Sequence, residues 1–426
     1  MAALGEAFGD LSGRARLAIP LLTETPQFID SSPEEANVSP LSAVDPVVLT
    51  QALVRCPSVT PAEGGALGLL AAILTEAGFE VHRPVFAEPG TPDIENLYCR
   101  IGTGTPALVF AGHTDVVPPG EETRWSSPPF SGDIRDGILY GRGACDMKAG
   151  VAASVSAVLR YLSRHGIPRA GSIAFLITGD EEGPAVNGTV KLLEWAKARG
   201  EVFSACVLGE PTNPAAMGDM LKIGRRGSLT GRITVTGRQG HVGYPHLAQN
   251  PVPAMVALLA ALKATPLDAG TTFFDASNLE VTTVDTGNPA TNVIPAEIRA
   301  TFNIRFNDLW TPETLADEII RRLAAAGTDV PYTITFAPTN SVAFLTKPGL
   351  FVHLVRDAVR AETGREPALS TTGGTSDARF IKTYCEVVEF GVVGATMHQI
   401  DECVAVQDIE TLTRIYERII ATYFTA

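Results

Sequence analysis

Three short apolar runs that each end in acids or a histidine constrain this chain more than any other feature. Residues 107–117 read ALVFAGHTDVV, 172–183 read SIAFLITGDEEG and 204–212 read SACVLGEPT. Their length and β-branched content are those of strands buried on both faces. Between the first two lies DMKAGVAASVSAVLRYLSRHG (146–166), a small-residue helical pattern closed by Gly166. Strands alternating with helices imply a sheet with helices on both faces. Such sheets gather ligands at the carboxyl ends of their strands. His113, Asp180 to Glu182 and Glu210 all fall just past such ends.

The rest of the chain divides by texture. Residues 1–43, with LTETPQFIDSSPEEANVSP at 22–40, are rich in Pro, Ser and acids and carry no sustained period. They read as a flexible N-terminal extension. DPVVLTQALVRC (45–56) has helical spacing behind an Asp cap with Pro in the first turn, and GGALGLLAAILTEAGF (64–79) is a second helix. Near Gly227 the pattern changes to alternating apolar and polar residues, GSLTGRITVTG. The segments 250–264, 278–287, 297–307, 311–327 and 332–337 then read helix, strand, strand, helix, strand. After 341 the α/β texture returns with GLFVHLVRDAVRAETG, CEVVEFGVV and IETLTRIYERIIATYF. The expected class is α/β, with a mostly parallel mixed sheet between helices formed by 44–226 and 342–426. A small α+β unit, 227–341, is expected as an insertion.

Charge and cysteine usage narrow the function. A formal net charge of −14 over 426 residues argues against nucleic acid or anionic lipid as the main partner. No apolar run approaches the ~20 residues of a membrane span. The six cysteines are widely and irregularly spaced with no CxxC pair, which fits free thiols in a reducing, cytoplasmic setting. There is no GxxxxGK[ST], no GxGxxG between strand and helix, and no GxSxG elbow.

Five segments concentrate acids and histidines: HTD (113–115), GRGACDMKAG (141–150), GDEEG (179–183), GEPT (209–212) and ATMHQ (395–399). Any one alone is an ordinary polar strand end. Together they hold the ingredients of a two-zinc site, because imidazole and carboxylate are good zinc ligands. The adjacent Glu181 and Glu182 repel each other unless a cation sits close, and neighbouring side chains point different ways. One can therefore hold metal while the other serves as a general base. Asp115, two residues past His113, can accept the second ring N–H of that histidine. Arg225 with Arg226, Arg305 and Arg379 are candidate carboxylate clamps, and STTGGTSDARF (370–380) resembles a backbone nest for an anion. Cys145 beside Asp146 reads as packing.

In this order the segments resemble the co-catalytic zinc aminoacylase and carboxypeptidase-type amidohydrolases, from about Asp45 to the C-terminus. The most specific parts are WSSPPFSGDIRDGILYGRGACDMKAG, GRRGSLTG, GHVGYPHLAQNP, NVIPAEI and TTGGTSDARF. The resemblance implies a zinc-peptidase-like catalytic domain, with the inserted unit serving as a dimerisation and lid domain. It implies two Zn2+ per subunit, with Co2+ able to substitute in one site. His113 and Glu210 would hold one ion, Glu182 and His398 the other, and Asp146 would bridge. Glu181 would be the general base, Asp115 would orient His113, and His241 would reach the partner subunit's active site to stabilise an oxyanion. Arg225, Tyr244, Asn292, Arg305, Gly374, Thr375 and Arg379 would bind a small substrate carrying several carboxylates. The peptide bond after Asp146 would be cis. The implied reaction is hydrolysis of a linear amide by a homodimer. A sibling deacylase acting on acetyl amides and a non-catalytic zinc-dependent binder are the competing expectations. Cys145, Ala149, Ala378 and Gly243 depart from the family's usual residues, each by one small side chain for another.

Overall fold

The computed structural model describes residues 45–425. The expected N-terminal extension lies outside the described residues. The first described helix, Pro46–Val54, starts as its sequence requires: the Asp45 carboxylate accepts the N–H groups of Val47 and Val48 at 2.8 and 3.2 Å.

An eight-stranded mixed sheet forms the frame. Its order is Glu80–His82, Leu97–Thr103, Gly171–Thr178, Ala107–His113, Ala205–Leu208, Glu386–Glu389, Met220–Lys222 and Ala368–Ser370. The central strands 171–178, 107–113, 205–208 and 386–389 run parallel to one another, while 97–103 and 220–222 join them antiparallel on either side. Every residue of Ala107–His113 and Gly171–Thr178 is buried, which accounts for their unbroken apolar runs. The helices Pro46–Val54, Ala149–His165, Leu350–Thr363 and Val406–Tyr423 pack on one another beside this sheet and share its core.

Register decides where the chemistry falls. His113 pairs with Thr178, and Ala111 with Leu208. The loops that begin at Thr114, Gly179 and Gly209 therefore leave the sheet at one edge, the carboxyl ends of three parallel strands. The sheet's outer strands at 80–82, 97–103, 220–222 and 368–370 were not read from sequence, because most are three residues long and carry no alternation of their own.

The long helix also starts later than its sequence pattern. Regular helix begins at Ala149, whereas Asp146 (φ −121°, ψ 95°) and Met147 (φ −129°, ψ 32°) are non-helical. The Asp146–Met147 peptide is cis. This irregular turn lifts Asp146 out of the helix and leaves its side chain at the strand-end edge.

Residues 227–341 build a separate four-stranded antiparallel sheet in the order Asn278–Asp285, Glu297–Phe306, Gly227–Thr236 and Tyr332–Phe336. The helices Pro251–Lys263 and Pro312–Ala325 cover it and complete a second hydrophobic core. Gly227 and Gly231 stand opposite Phe306 and Phe302, whose rings occupy the space a Cβ would need. The chain enters and leaves this unit side by side, since Gly224–Arg225 pairs with Phe344–Leu345.

Candidate metal centre and its cavity

The five acid- and histidine-bearing segments converge. His113 ends its strand almost wholly buried, and its Nδ1 lies 2.8 Å from the main-chain oxygen of Asp115. A carbonyl oxygen can only accept, so Nδ1 carries a proton and Nε2 faces inward. Facing Nε2 are Asp146 Oδ1 at 3.3 Å and Glu210 Oε1 at 3.8 Å. All three atoms are buried and lack a hydrogen-bond partner among the described residues. Two carboxylate oxygens and a ring nitrogen that face one another without a partner are costly in a protein interior unless a cation or a proton lies between them.

A second group adjoins the first. His398 Nε2 lies 2.8 Å from Glu182 Oε1 and 3.2 Å from Asp146 Oδ2. Asp146 thus turns one carboxylate oxygen to each histidine. Ligand atoms of His113, Asp146 and Glu182 lie within 4.8 Å of one another, as do those of His113, Glu181 and Glu210. His398 sits at φ +62°, an uncommon conformation for a residue with a Cβ.

The titration of these groups carries the same message. Burial, and then the charge of Asp146, push Glu210 up to about 8. Burial, and then Glu210, hold the Glu181 carboxyl well above its ordinary value. Contacts to Asp146 and Glu182 raise His398 to about 10. Without added positive charge the cluster would have to take up protons to coexist. The four carboxylates of Asp146, Glu181, Glu182 and Glu210 balance the charge of two divalent ions, so the donor set fits a metal pair.

Asp115 does something the sequence did not suggest. Its side chain lies 3.7 Å from the His113 ring, beyond hydrogen-bond length, and the main-chain oxygen makes the ring contact. The carboxylate instead accepts the N–H of Glu181 at 3.2 Å and of Glu182 at 3.1 Å. Asp180 works alongside it, accepting the N–H groups of Ala185, Val186 and Asn187. The turn that presents the two glutamates is therefore fixed from both sides.

The metal centre opens into a cavity of about 560 Å³. Asp146, Glu181, Glu182, Glu210 and His398 line one end, while Lys222, Arg225, Arg305, Gly374 and Thr375 line the rest. Arg225 is largely engaged already. Its Nε lies 3.0 and 2.8 Å from the two oxygens of buried Glu389, its Nη2 also binds Glu389, and its Nη1 donates to Gly374 O at 3.1 Å. Gly373 (φ +101°) lies so close to this guanidinium that a Cβ would stand 2.9 Å from Nη1. Lys222, missed in the sequence, donates to Thr372 O at 2.6 Å, and burial followed by the charge of Arg225 lowers its pKa to about 8.

Four residues of the expected set stand elsewhere. Arg379 is buried outside the cavity, with Nη1 3.5 Å from Asp377 Oδ1 and its guanidinium 4.1 Å from the centre of the Phe380 ring. It sits on the short helix Ala378–Ile381 among buried neighbours, and its Nη2 lies 3.4 Å from Asn340 Oδ1. His241, Tyr244 and Asn292 lie together on an exposed face of the 227–341 unit, where Gly240–His241 pairs with Val293–Ile294 and Val242 N–H donates to Asn292 O. They do not line this chain's cavity. All six cysteines are free, and buried Cys145 packs against Glu402.

A cation-seeking carboxylate and imidazole cluster at the strand ends of a mixed α/β sheet, with a basic cavity beside it, defines a metal-dependent hydrolase. The chain belongs to peptidase family M20/M25/M40, whose model matches residues 109–422. It is 67% identical over 387 residues to the succinyl-diaminopimelate desuccinylase of Methylorubrum populi, spanning 91% of this chain and 100% of that one. The enzyme of the same name from Rhodopseudomonas palustris is 60% identical, over 90% and 100% of the two chains. Among solved structures, the aminopeptidase PepT of Bacillus cereus shares the fold at TM-score 0.71 and 19% identity, covering 89% of this chain and 98% of that one. The YXEP protein of Bacillus subtilis, described as a dinuclear metal binding peptidase, matches at TM-score 0.65 and 14% identity, over 90% and 98%.

Proposed function

We infer that this chain catalyses the desuccinylation of N-succinyl-LL-2,6-diaminopimelate, releasing succinate and LL-2,6-diaminopimelate, a step of lysine and peptidoglycan precursor biosynthesis. The observation that carries the substrate is near-full-length identity of 67% to a relative of that activity. The cavity supports it on independent grounds. The substrate bears several carboxylates, and Lys222 and Arg305 bring cationic groups to a cavity in an otherwise acidic protein.

His113, Asp146 and Glu210 would hold one zinc ion, and Asp146, Glu182 and His398 the other, with Co2+ able to replace one. When bound, the pair supplies Lewis-acid polarisation of the amide carbonyl and makes a water acidic enough to attack near neutral pH. Glu181 lines the cavity beside both groups and takes the proton of the attacking water. The water oxygen adds to the carbonyl carbon, the C–N bond breaks, and Glu181 returns the proton to the leaving amine. Asp115 holds the main chain of both glutamates, so Glu181 is aimed without itself being tied up. Arg225, braced by Glu389, shapes the wall formed by Gly374 and Thr375 and lends that wall its positive charge.

We read 44–226 with 342–426 as the catalytic domain and 227–341 as an inserted dimerisation and lid domain, hinged where 224–227 runs beside 340–345. The free edge of Asn278–Asp285, largely exposed, supports pairing with a second subunit. His241, Tyr244 and Asn292 are exposed and do not line their own cavity, which supports their serving that of the partner, with His241 stabilising the oxyanion. No described helix is long and apolar enough to cross a membrane. Six free thiols support a cytoplasmic setting.

The deciding experiment compares hydrolysis of N-succinyl-LL-diaminopimelate with that of N-acetylornithine, with zinc supplied and then chelated. Zinc-dependent turnover of the succinyl compound alone is expected. Preferential turnover of the acetyl compound would overturn the specificity and leave the metal chemistry standing.

A further inference from the structure

Two oppositely charged residues beneath the metal centre are used by nothing described so far. Glu402 is fully buried and Arg142 nearly so, and they form an ion pair at 2.6 Å. Burying such a pair is costly unless each charge is satisfied by further polar contacts. The further contacts lie at the metal centre. Glu402 Oε1 accepts the main-chain N–H groups of Cys145 at 3.0 Å and Asp146 at 3.1 Å. Arg142 Nη2 donates to the main-chain oxygen of His398 at 3.4 Å, while Nη1 holds Glu402. The Trp125 ring, 5.3 Å from the guanidinium carbon, lies beneath the same group.

Asp146 and His398 both belong to irregular backbone. Asp146 occupies the non-helical turn before Ala149, and His398 has positive φ. Neither is fixed by a strand or helix ladder, yet their side chains must meet at 3.2 Å. The buried pair spans the two segments: its carboxylate grips the Asp146 turn, and one arm of its guanidinium grips the His398 turn. The rigid guanidinium fork presents a separate N–H to each of the two partners.

We propose that Arg142 and Glu402 are positioning residues that set the spacing between Asp146 and His398, and so govern occupancy of the ion held by Asp146, Glu182 and His398. The ion at His113 and Glu210 shares Asp146 but takes its other two ligands from strand ends, so it is less sensitive. This inference rests on the two-ion reading above and adds a selective control over one of the two sites.

The test is metal titration of the metal-free protein by calorimetry, using zinc, on the wild type, Arg142→Lys and His398→Ala. Arg142→Lys keeps the charge opposite Glu402 and gives up the fork. It is expected to weaken one ion by about tenfold to a hundredfold, the usual effect of losing a group that orients a ligand. The other ion should bind as in the wild type, and the weakened one should be the ion that His398→Ala also weakens. A paired variant, Arg142→Met with Glu402→Gln, removes both charges together and so avoids a lone buried ion. It should fold and show the same split affinities. Two ions bound with wild-type affinities in either Arg142 variant would overturn the inference. So would equal weakening of both ions with a lowered melting temperature, which is the mark of a merely structural pair. Fewer than two ions in the wild type would overturn the two-ion reading and this inference with it.

Discussion

The main-chain N–H of Glu181 donates to the carboxylate of Asp115 at 3.2 Å, and that of Glu182 donates to the other oxygen at 3.1 Å. One buried carboxylate thereby aims the proposed base and a proposed ligand through backbone alone. Asp115→Asn keeps one acceptor and sets an amide N–H against the other donor. An unsatisfied buried donor costs about 1–3 kcal/mol. The expected result is a kcat lower by about tenfold to a hundredfold with both ions retained, as for other groups that orient a metal site. Steady-state kinetics with metal analysis on the same sample check it. Loss of one ion with unchanged kcat per loaded molecule would assign Asp115 to His113 alone.

Glu181→Gln preserves shape and removes the basic oxygen. General acid–base catalysis is worth roughly 10²–10⁴-fold, so kcat should fall by at least the lower figure. Zinc content should stay at two per subunit. Full activity in a zinc-loaded variant would end the assignment of Glu181 as base and favour its role as a ligand beside His113 and Glu210, a grouping its position also permits.

The residues legible in the sequence share one property: they follow apolar runs whose length makes them strands. His113, Glu181, Glu182 and Glu210 stand out because a buried strand seldom leads to so many acids, and parallel register then gathers them. Asp146 was legible by its company in GRGACDMKAG, but the backbone that displays it was not. Helical spacing runs through 146–166, whereas the regular helix starts at Ala149, because Glu402 holds the preceding turn from more than 250 residues away. The supporting charges were the hardest to see. Glu389 ends the short strand Glu386–Glu389, Glu402 lies in a polar loop, and Lys222 ends a three-residue strand, so no local pattern marks what they touch. Arg379 shows the converse: its Gly-rich neighbourhood suggests an anion nest, and the structure places it buried outside the cavity.

Metal removal should cost stability as well as activity. The acceptors His113 Nε2, Asp146 Oδ1 and Glu210 Oε1 are buried without partners among the described residues, and carboxylates crowd around them. Ions that bind only the folded chain stabilise it by about 4.1 kcal/mol per site at a thousandfold excess over the dissociation constant. A chelated sample should therefore melt lower by several degrees, and two equivalents of zinc should restore it. An unchanged melting temperature in scanning calorimetry would mean that the cluster is satisfied by protons alone.

Lys222 supplies a pH dependence to substrate binding. Burial, and then the charge of Arg225, lower its pKa to about 8, so the ammonium is charged below that value and neutral above it. A carboxylate in the cavity binds the charged form, so KM should rise as pH increases through about 8, with kcat less affected. Substrate binding itself favours the proton, which shifts the apparent midpoint upward in the complex. Lys222→Met should raise KM at pH 7 by about tenfold, the effect of one lost charged hydrogen bond. It should also remove the rise above pH 8. A variant that keeps the wild-type KM profile across pH 7 to 9 would transfer the carboxylate to Arg305 and leave Lys222 as a brace for the Thr372 turn.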